Sequence, residues 1–123
     1  MSNKKRILVV DDSPILLRSV KNMLDSYYEV DMATSVDQAM VVIGGKRPDL
    51  ILLDYDMPIC NGKVMLQRLR NKPETKDIPV IFLTAVDNST EVREVLQMHP
   101  QGYLLKPPEI EKLLDAVQRQ LWQ

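Results

Sequence analysis

The sequence predicts an α/β domain, a five-stranded parallel sheet with helices on both faces. Three observations carry this. Apolar runs without polar alternation occur at Ile7 to Val10, Leu50 to Leu53 and Val80 to Leu83. Such short runs, bounded by turn-type residues, mark strands buried on both faces. Stretches of helical periodicity lie between the strands, and the β-α unit recurs five times with no low-complexity linker.

The first strand, ILVV, ends in Asp11-Asp12. Ser13-Pro14 then opens a helix, since proline is tolerated in a first turn, and Leu16, Val20, Met23 and Leu24 share its apolar face. Tyr28 to Ala33 (YEVDMA) alternates acidic with apolar residues, which predicts an edge strand with one wetter face. Ser35-Val36-Asp37-Gln38 has the form of a capping box ahead of a stripe of Val36, Ala39, Met40 and Ile43, with Gly44-Gly45 as the stop. The third strand, LILLD, ends in Asp54, and Met65, Leu66 and Leu69 follow Asn61-Gly62 as the third helix. The fourth strand closes on Thr84. Val92, Val95 and Leu96 give a weaker helical stripe, cut off by Pro100. Tyr103 to Leu105 is a short fifth strand before Lys106. Ile110, Leu113, Leu114, Val117 and Leu121 make the cleanest amphipathic helix, opened by Pro107-Pro108.

The 123 residues suit one domain, long enough to bury roughly two-thirds of the surface its unfolded chain exposes. A net charge of −1 with both signs interspersed gives no bias toward nucleic acid or an anionic membrane, so the domain is expected to bind neither directly. The single cysteine, Cys60, allows no internal disulfide and reads as a loop thiol. MSNKKR followed by only four apolar residues is too short for a signal core or a span, which makes the cytoplasm the expected compartment. The seven methionines fall mostly on apolar helix positions and read as core filling. His99 has no metal-ligand neighbour, and Trp122 is expected to close the last helical turn.

Parallel sheets bind ligands beyond the carboxyl ends of their strands. The residues there are Asp11 and Asp12 after the first strand, Asp54 after the third, Thr84 after the fourth and Lys106 after the fifth. Three converging carboxylates repel one another. A hard divalent cation together with a lysine resolves that conflict, because Mg²⁺ favours oxygen ligands and keeps several waters. Each residue alone has a plainer reading. Asp11 and Asp12 suit a helix cap, Asp54 and Thr84 a strand end, Lys106 a surface turn, and Tyr103 a half-buried strand position.

Together these motifs carry a resemblance. Asp11-Asp12-Ser13-Pro14 after ILVV, Asp54 with Met57-Pro58 and Gly62 behind it, Thr84-Ala85 ending IFLTA, and Tyr103-Leu104-Leu105-Lys106-Pro107 resemble the receiver domain of two-component response regulators. The resemblance covers about residues 5 to 121 of a single domain spanning 1–123. It implies a doubly wound, flavodoxin-like (βα)5 fold with strand order 2-1-3-4-5. It implies Asp54 as phosphoacceptor, taking a phosphoryl group from a histidine kinase or phosphotransfer protein. Mg²⁺ or Mn²⁺ would be held by Asp11, Asp12, Asp54 and the backbone carbonyl of Asp56. Thr84 and Lys106 would contact the phosphoryl group, and Tyr103 would turn inward behind Thr84. The Lys106-Pro107 bond would be cis. Output to a downstream protein or effector domain would come from the fourth helix, fifth strand and fifth helix, the domain being a monomer or a phosphorylation-promoted dimer.

Asp56 and Val86, two residues past Asp54 and Thr84, would tune autodephosphorylation. Met98-His99-Pro100-Gln101 departs from the small residue pair often found before the fifth strand of this family, which leaves that part of the output face open. Two rival readings remain. Asp54-Tyr55-Asp56 has the DxD form of haloacid-dehalogenase-like phosphatases, although their motif lies on a first strand. A degenerate receiver serving only as a binding scaffold is the other, against which the intact five-residue set argues.

Overall fold

Strands form where the apolar runs place them. A computed structural model describes residues 4–55, 57, 62–84, 93–94, 96–97 and 99–122. Its five strands are β1 (Arg6–Val10), β2 (Glu29–Ala33), β3 (Leu50–Asp54), β4 (Val80–Thr84) and β5 (Gly102–Leu105). All pairings are parallel, in the order β2-β1-β3-β4-β5. Every residue of β3 and β4 is buried, whereas the edge strands β2 and β5 are partly exposed, as expected where one side lacks a neighbour.

Helices α1 (Pro14–Leu24), α2 (Val36–Gly45), α3 (Gly62–Arg70) and a C-terminal helix (Ile110–Leu121) cover the sheet. Because strand side chains alternate faces, the inner strands divide into two apolar sets. Ile7, Val9, Leu50, Leu52, Ile81 and Leu83 pack with Leu17, Val20 and Leu24 of α1 and with Leu113 and Val117 of the C-terminal helix. Leu8, Val10, Ile51, Leu53, Val80 and Phe82 pack with α2 and α3. The domain is therefore doubly wound, and all strands deliver their carboxyl ends to one rim.

Local chemistry explains the helix starts. Ser13 caps α1, its hydroxyl accepting from the Leu16 amide at 3.3 Å, with Pro14 in the first turn. Ser35 caps α2 by accepting from the Gln38 amide at 3.1 Å. The reciprocal arm of that box is displaced by one residue: Gln38 Oε1 accepts from the Thr34 amide at 2.6 Å.

Several sequence expectations shift. Leu17, not Leu16, is the buried residue of the first turn of α1, with Leu16 and Met23 flanking the stripe. Gly44 and Gly45 do not form a left-handed stop; both are helical, no glycine has positive φ, and the last turn closes through the Lys46 amide to Val42 O at 2.9 Å. The helix ends because Lys46 turns extended just before Arg47-Pro48. Ile110 is largely exposed at the start of its helix, beyond the sheet's cover. Of the expected fourth helix, residues 93–94 and 96–97 are helical, Leu96 is exposed, and Val92 and Val95 lie outside the described residues.

At the opposite end of the sheet, Arg70 donates to the carbonyls of Lys76 and Ile78 at 3.0 and 2.9 Å and to Gln101 Oε1 at 3.1 Å. That same oxygen accepts from the Val80 amide at 2.8 Å, so Gln101 joins α3, β4 and the entry to β5. Burial lowers the pKa of Arg70, against the nearby charge of Asp77. His99, just before, sits at φ 52°, in the left-handed region. Among the described residues no helix is long and apolar enough to cross a membrane.

Candidate functional site

The rim is built by strand register. Val10 is level with Leu53, Asp54 with Leu83, and Thr84 with Leu105, so the residues following each strand meet side by side. Backbone bonds carry the alignment one residue further: Asp11 N to Ala33 O at 3.0 Å, Tyr55 N to Leu83 O at 3.0 Å and Lys106 N to Thr84 O at 2.8 Å.

Asp11 and Asp54 are each 1% exposed, Thr84 is fully buried, and Asp12 faces solvent. Carboxylate oxygens of Asp11, Asp12 and Asp54 all lie within 4.8 Å of one another. Lys106 Nζ donates to Asp54 Oδ1 at 2.7 Å and stands 2.9 Å from Asp11 Oδ2. The second approach is an ion pair by distance whose angle leaves Asp11 Oδ2 without an aligned hydrogen bond. Burial opposes the charge on Lys106. The bond to Asp54, the approach of Asp11 and the charge of both carboxylates outweigh burial and raise the ammonium's pKa above its ordinary value. The Lys106-Pro107 peptide is cis.

Asp11 has a second duty. Its Oδ1 accepts from the Ser13 amide at 2.9 Å, which fixes the turn that presents Asp12. The helix cap itself belongs to Ser13, so the capping reading of the acidic pair does not hold for Asp12.

One lysine against three carboxylates leaves the rim with excess negative charge. The donor set is all oxygen, and two of its members are buried, one with an oxygen poorly satisfied by its neighbours. These features fit a hard divalent cation such as Mg²⁺ or Mn²⁺.

Gly62 holds the site closed from behind. Its amide donates to Tyr55 O at 2.9 Å, and a Cβ there would stand 2.7 Å from Asp54 O and 2.8 Å from Phe82 Cε1. No larger residue allows α3 to start this close to the Asp54 backbone. Tyr103 lies on β5 with 39% of its surface exposed, on the outer edge of the sheet. Asp56 and Val86, the expected carbonyl ligand and the expected tuning positions, lie outside the described residues.

Sequence reasoning passed over Tyr55. Its ring is buried and meets Phe82 edge-on, with centroids 5.6 Å apart, and its hydroxyl donates to Glu94 Oε2. No periodicity links residues that far apart in the chain, so no sequence signal was available.

This chain belongs to the response regulator receiver domain family, which matches residues 7–118. Protein PilH of Pseudomonas aeruginosa is 33% identical over 113 residues, covering 91% of this chain and 93% of PilH. A probable cyclic di-GMP phosphodiesterase of Vibrio cholerae is 33% identical over 115 residues, 94% of this chain but only 26% of that protein. The chain thus spans about a quarter of the length of that relative. Among solved structures, the chemotaxis protein CheY4 of Vibrio cholerae superposes with a TM-score of 0.87 at 30% identity, over 96% of this chain and 99% of that one.

Proposed function

We propose that this chain is a single receiver domain, about residues 5 to 121, that acts as a phosphorylation-dependent switch with Asp54 as the acceptor. The observation that carries the proposal is the convergence of Asp11, Asp12, Asp54 and Lys106 on one rim, beside buried Thr84. In the reaction, a carboxylate oxygen of Asp54 attacks phosphorus. A P–O bond to Asp54 forms as the P–N bond of a phosphohistidine, or the P–O bond of acetyl phosphate, breaks. The released imidazole or acetate carries away the bonding pair, and Asp54 is left as an acyl phosphate.

Asp11, Asp12, Asp54 and the Asp56 carbonyl would hold Mg²⁺ or Mn²⁺, which when bound supplies charge neutralisation at the phosphoryl oxygens. Lys106 bonds Asp54, which supports a role in which its ammonium follows the negative charge onto the new phosphoryl group. Thr84 lies level with the end of β5, at the same rim as Asp54, and its hydroxyl would offer that group a hydrogen bond. Tyr103, Asp56 and Val86 keep the proposed roles of output reporter and lifetime tuning. The partners are a histidine kinase or phosphotransfer protein upstream and a downstream protein or effector domain. The domain turns over no separate substrate.

The test is stoichiometry. Incubation with acetyl phosphate and Mg²⁺ is expected to label at most one group per chain, with no steady hydrolysis of p-nitrophenyl phosphate. Sustained turnover of p-nitrophenyl phosphate would instead favour a DxD phosphatase.

A further inference from the structure

Tyr55 sits where two parts of the domain meet. Its amide bonds β4 through Leu83 O, its carbonyl accepts from Gly62 at the start of α3, and its ring lies against Phe82 with only 7% exposure. The hydroxyl at the far end of this fixed ring donates to the exposed carboxylate of Glu94, in the helical residues 93–94 of the connection between β4 and β5. One side chain therefore ties the backbone next to Asp54 to the segment that follows Thr84.

We propose that the Tyr55–Glu94 hydrogen bond is a latch on the resting form, and that Tyr55 is a positioning residue setting how readily Asp54 takes a phosphoryl group. This rests on the reading of Asp54 as acceptor and Thr84 as the hydroxyl that bonds the phosphoryl group, to which it adds a shift of Thr84 toward that group. Tyr55 is anchored to β3, β4 and α3 by two backbone bonds and a buried ring, so it holds its place. Glu94 belongs to the connection that Thr84 leads into. In the proposed switch, a shift of Thr84 toward a phosphoryl group on Asp54 alters the Tyr55–Glu94 separation, because Glu94 lies on the stretch of chain that leaves β4 at Thr84. A hydrogen bond works over a range of a few tenths of an ångström. The bond thus favours the form in which it is made, and by linkage it opposes phosphorylation.

Tyr55→Phe keeps the ring and removes only the hydroxyl; Glu94→Ala removes the acceptor. A urea-denaturation double-mutant cycle on Tyr55→Phe, Glu94→Ala and the double variant tests whether the bond operates at rest. Calorimetric titration of the same four proteins with beryllofluoride in Mg²⁺ reads the bias. Each single variant is expected to bind beryllofluoride about tenfold more tightly than the parent, the worth of one charge-assisted hydrogen bond. The double variant should gain no more than either single. Absence of coupling in the stability cycle overturns the latch whatever the second result. Coupling with unchanged beryllofluoride affinity also overturns it, leaving the bond a structural one. A parent that fails to bind beryllofluoride removes the acceptor reading, and the latch with it.

Discussion

Replacing Gly62 by alanine tests how tightly α3 is drawn against the Asp54 backbone. The added Cβ would lie 2.7 Å from Asp54 O and 2.8 Å from Phe82 Cε1, closer than real Cβ atoms approach other atoms, and 3.0 Å from Tyr55 Cα, tighter than nearly all real contacts. Two of these neighbours are backbone atoms and the third is a buried ring, so none can swing aside. Relief requires α3 to retreat, which costs about 1–3 kcal/mol as overpacking. Retreat also stretches the Gly62 amide bond to Tyr55 O, now 2.9 Å, worth about 1 kcal/mol. Alanine's better helix propensity offsets about 1 kcal/mol at most. The net expectation is a loss of about 2 kcal/mol in urea denaturation, together with slower labelling by acetyl phosphate. Gly102→Ala, whose Cβ would meet only Ile81 Cγ1 at 3.7 Å, serves as the matched control and is expected to change stability little. A Gly62→Ala protein as stable as the parent would show that the close approach does not constrain the site.

The charge at the rim makes further outcomes specific. Asp12→Ala removes a carboxylate within 4.8 Å of two others, and is expected to raise metal-free stability by about 0.5–1 kcal/mol while abolishing the stabilisation that Mg²⁺ confers on the parent in thermal melts. Lys106→Met strips the ammonium from buried Asp54 and Asp11, and metal-free stability should fall by about 2–4 kcal/mol, with part of the loss restored by Mg²⁺ in the same melts. At the far end of α2, Gly44→Ala and Gly45→Ala place a methyl in open space on helical backbone without positive φ, and each is expected to add about 0.5–1 kcal/mol in urea denaturation.

Much of this architecture is written in residue patterns, and the exceptions have physical causes. LILLD and VIFLT are legible because inner strands of a parallel sheet are covered on both faces, so no polar residue interrupts them until the rim. That abrupt change from apolar to polar is what makes Asp11, Asp54 and Lys106 readable as neighbours. The division of labour between Asp11 and Asp12 is not readable, because it depends on the turn that sends Asp11 inward to Lys106 and Ser13 and leaves Asp12 in solvent. Gly44-Gly45 misleads because glycine signals a helix stop only where φ turns positive, and here the extended Lys46 ends the helix instead. Ile110 falls on the apolar stripe by periodicity, yet lies where no neighbouring element covers it. Gln101 gives no pattern at all, since its role arises from a side chain standing in for backbone at the edge of β4. Tyr55 and Glu94 stand 39 residues apart, so only the folded chain brings them together.

The decisive observation is where the phosphoryl group goes. After incubation with acetyl phosphate and Mg²⁺, peptide mass mapping is expected to find the label on Asp54, as an acid-stable, base-labile acyl phosphate, and to find none in the Asp54→Asn protein. Metal-dependent label persisting in Asp54→Asn, or mapping to another residue of the parent, would mean that the rim is assembled for something other than phosphoryl acceptance.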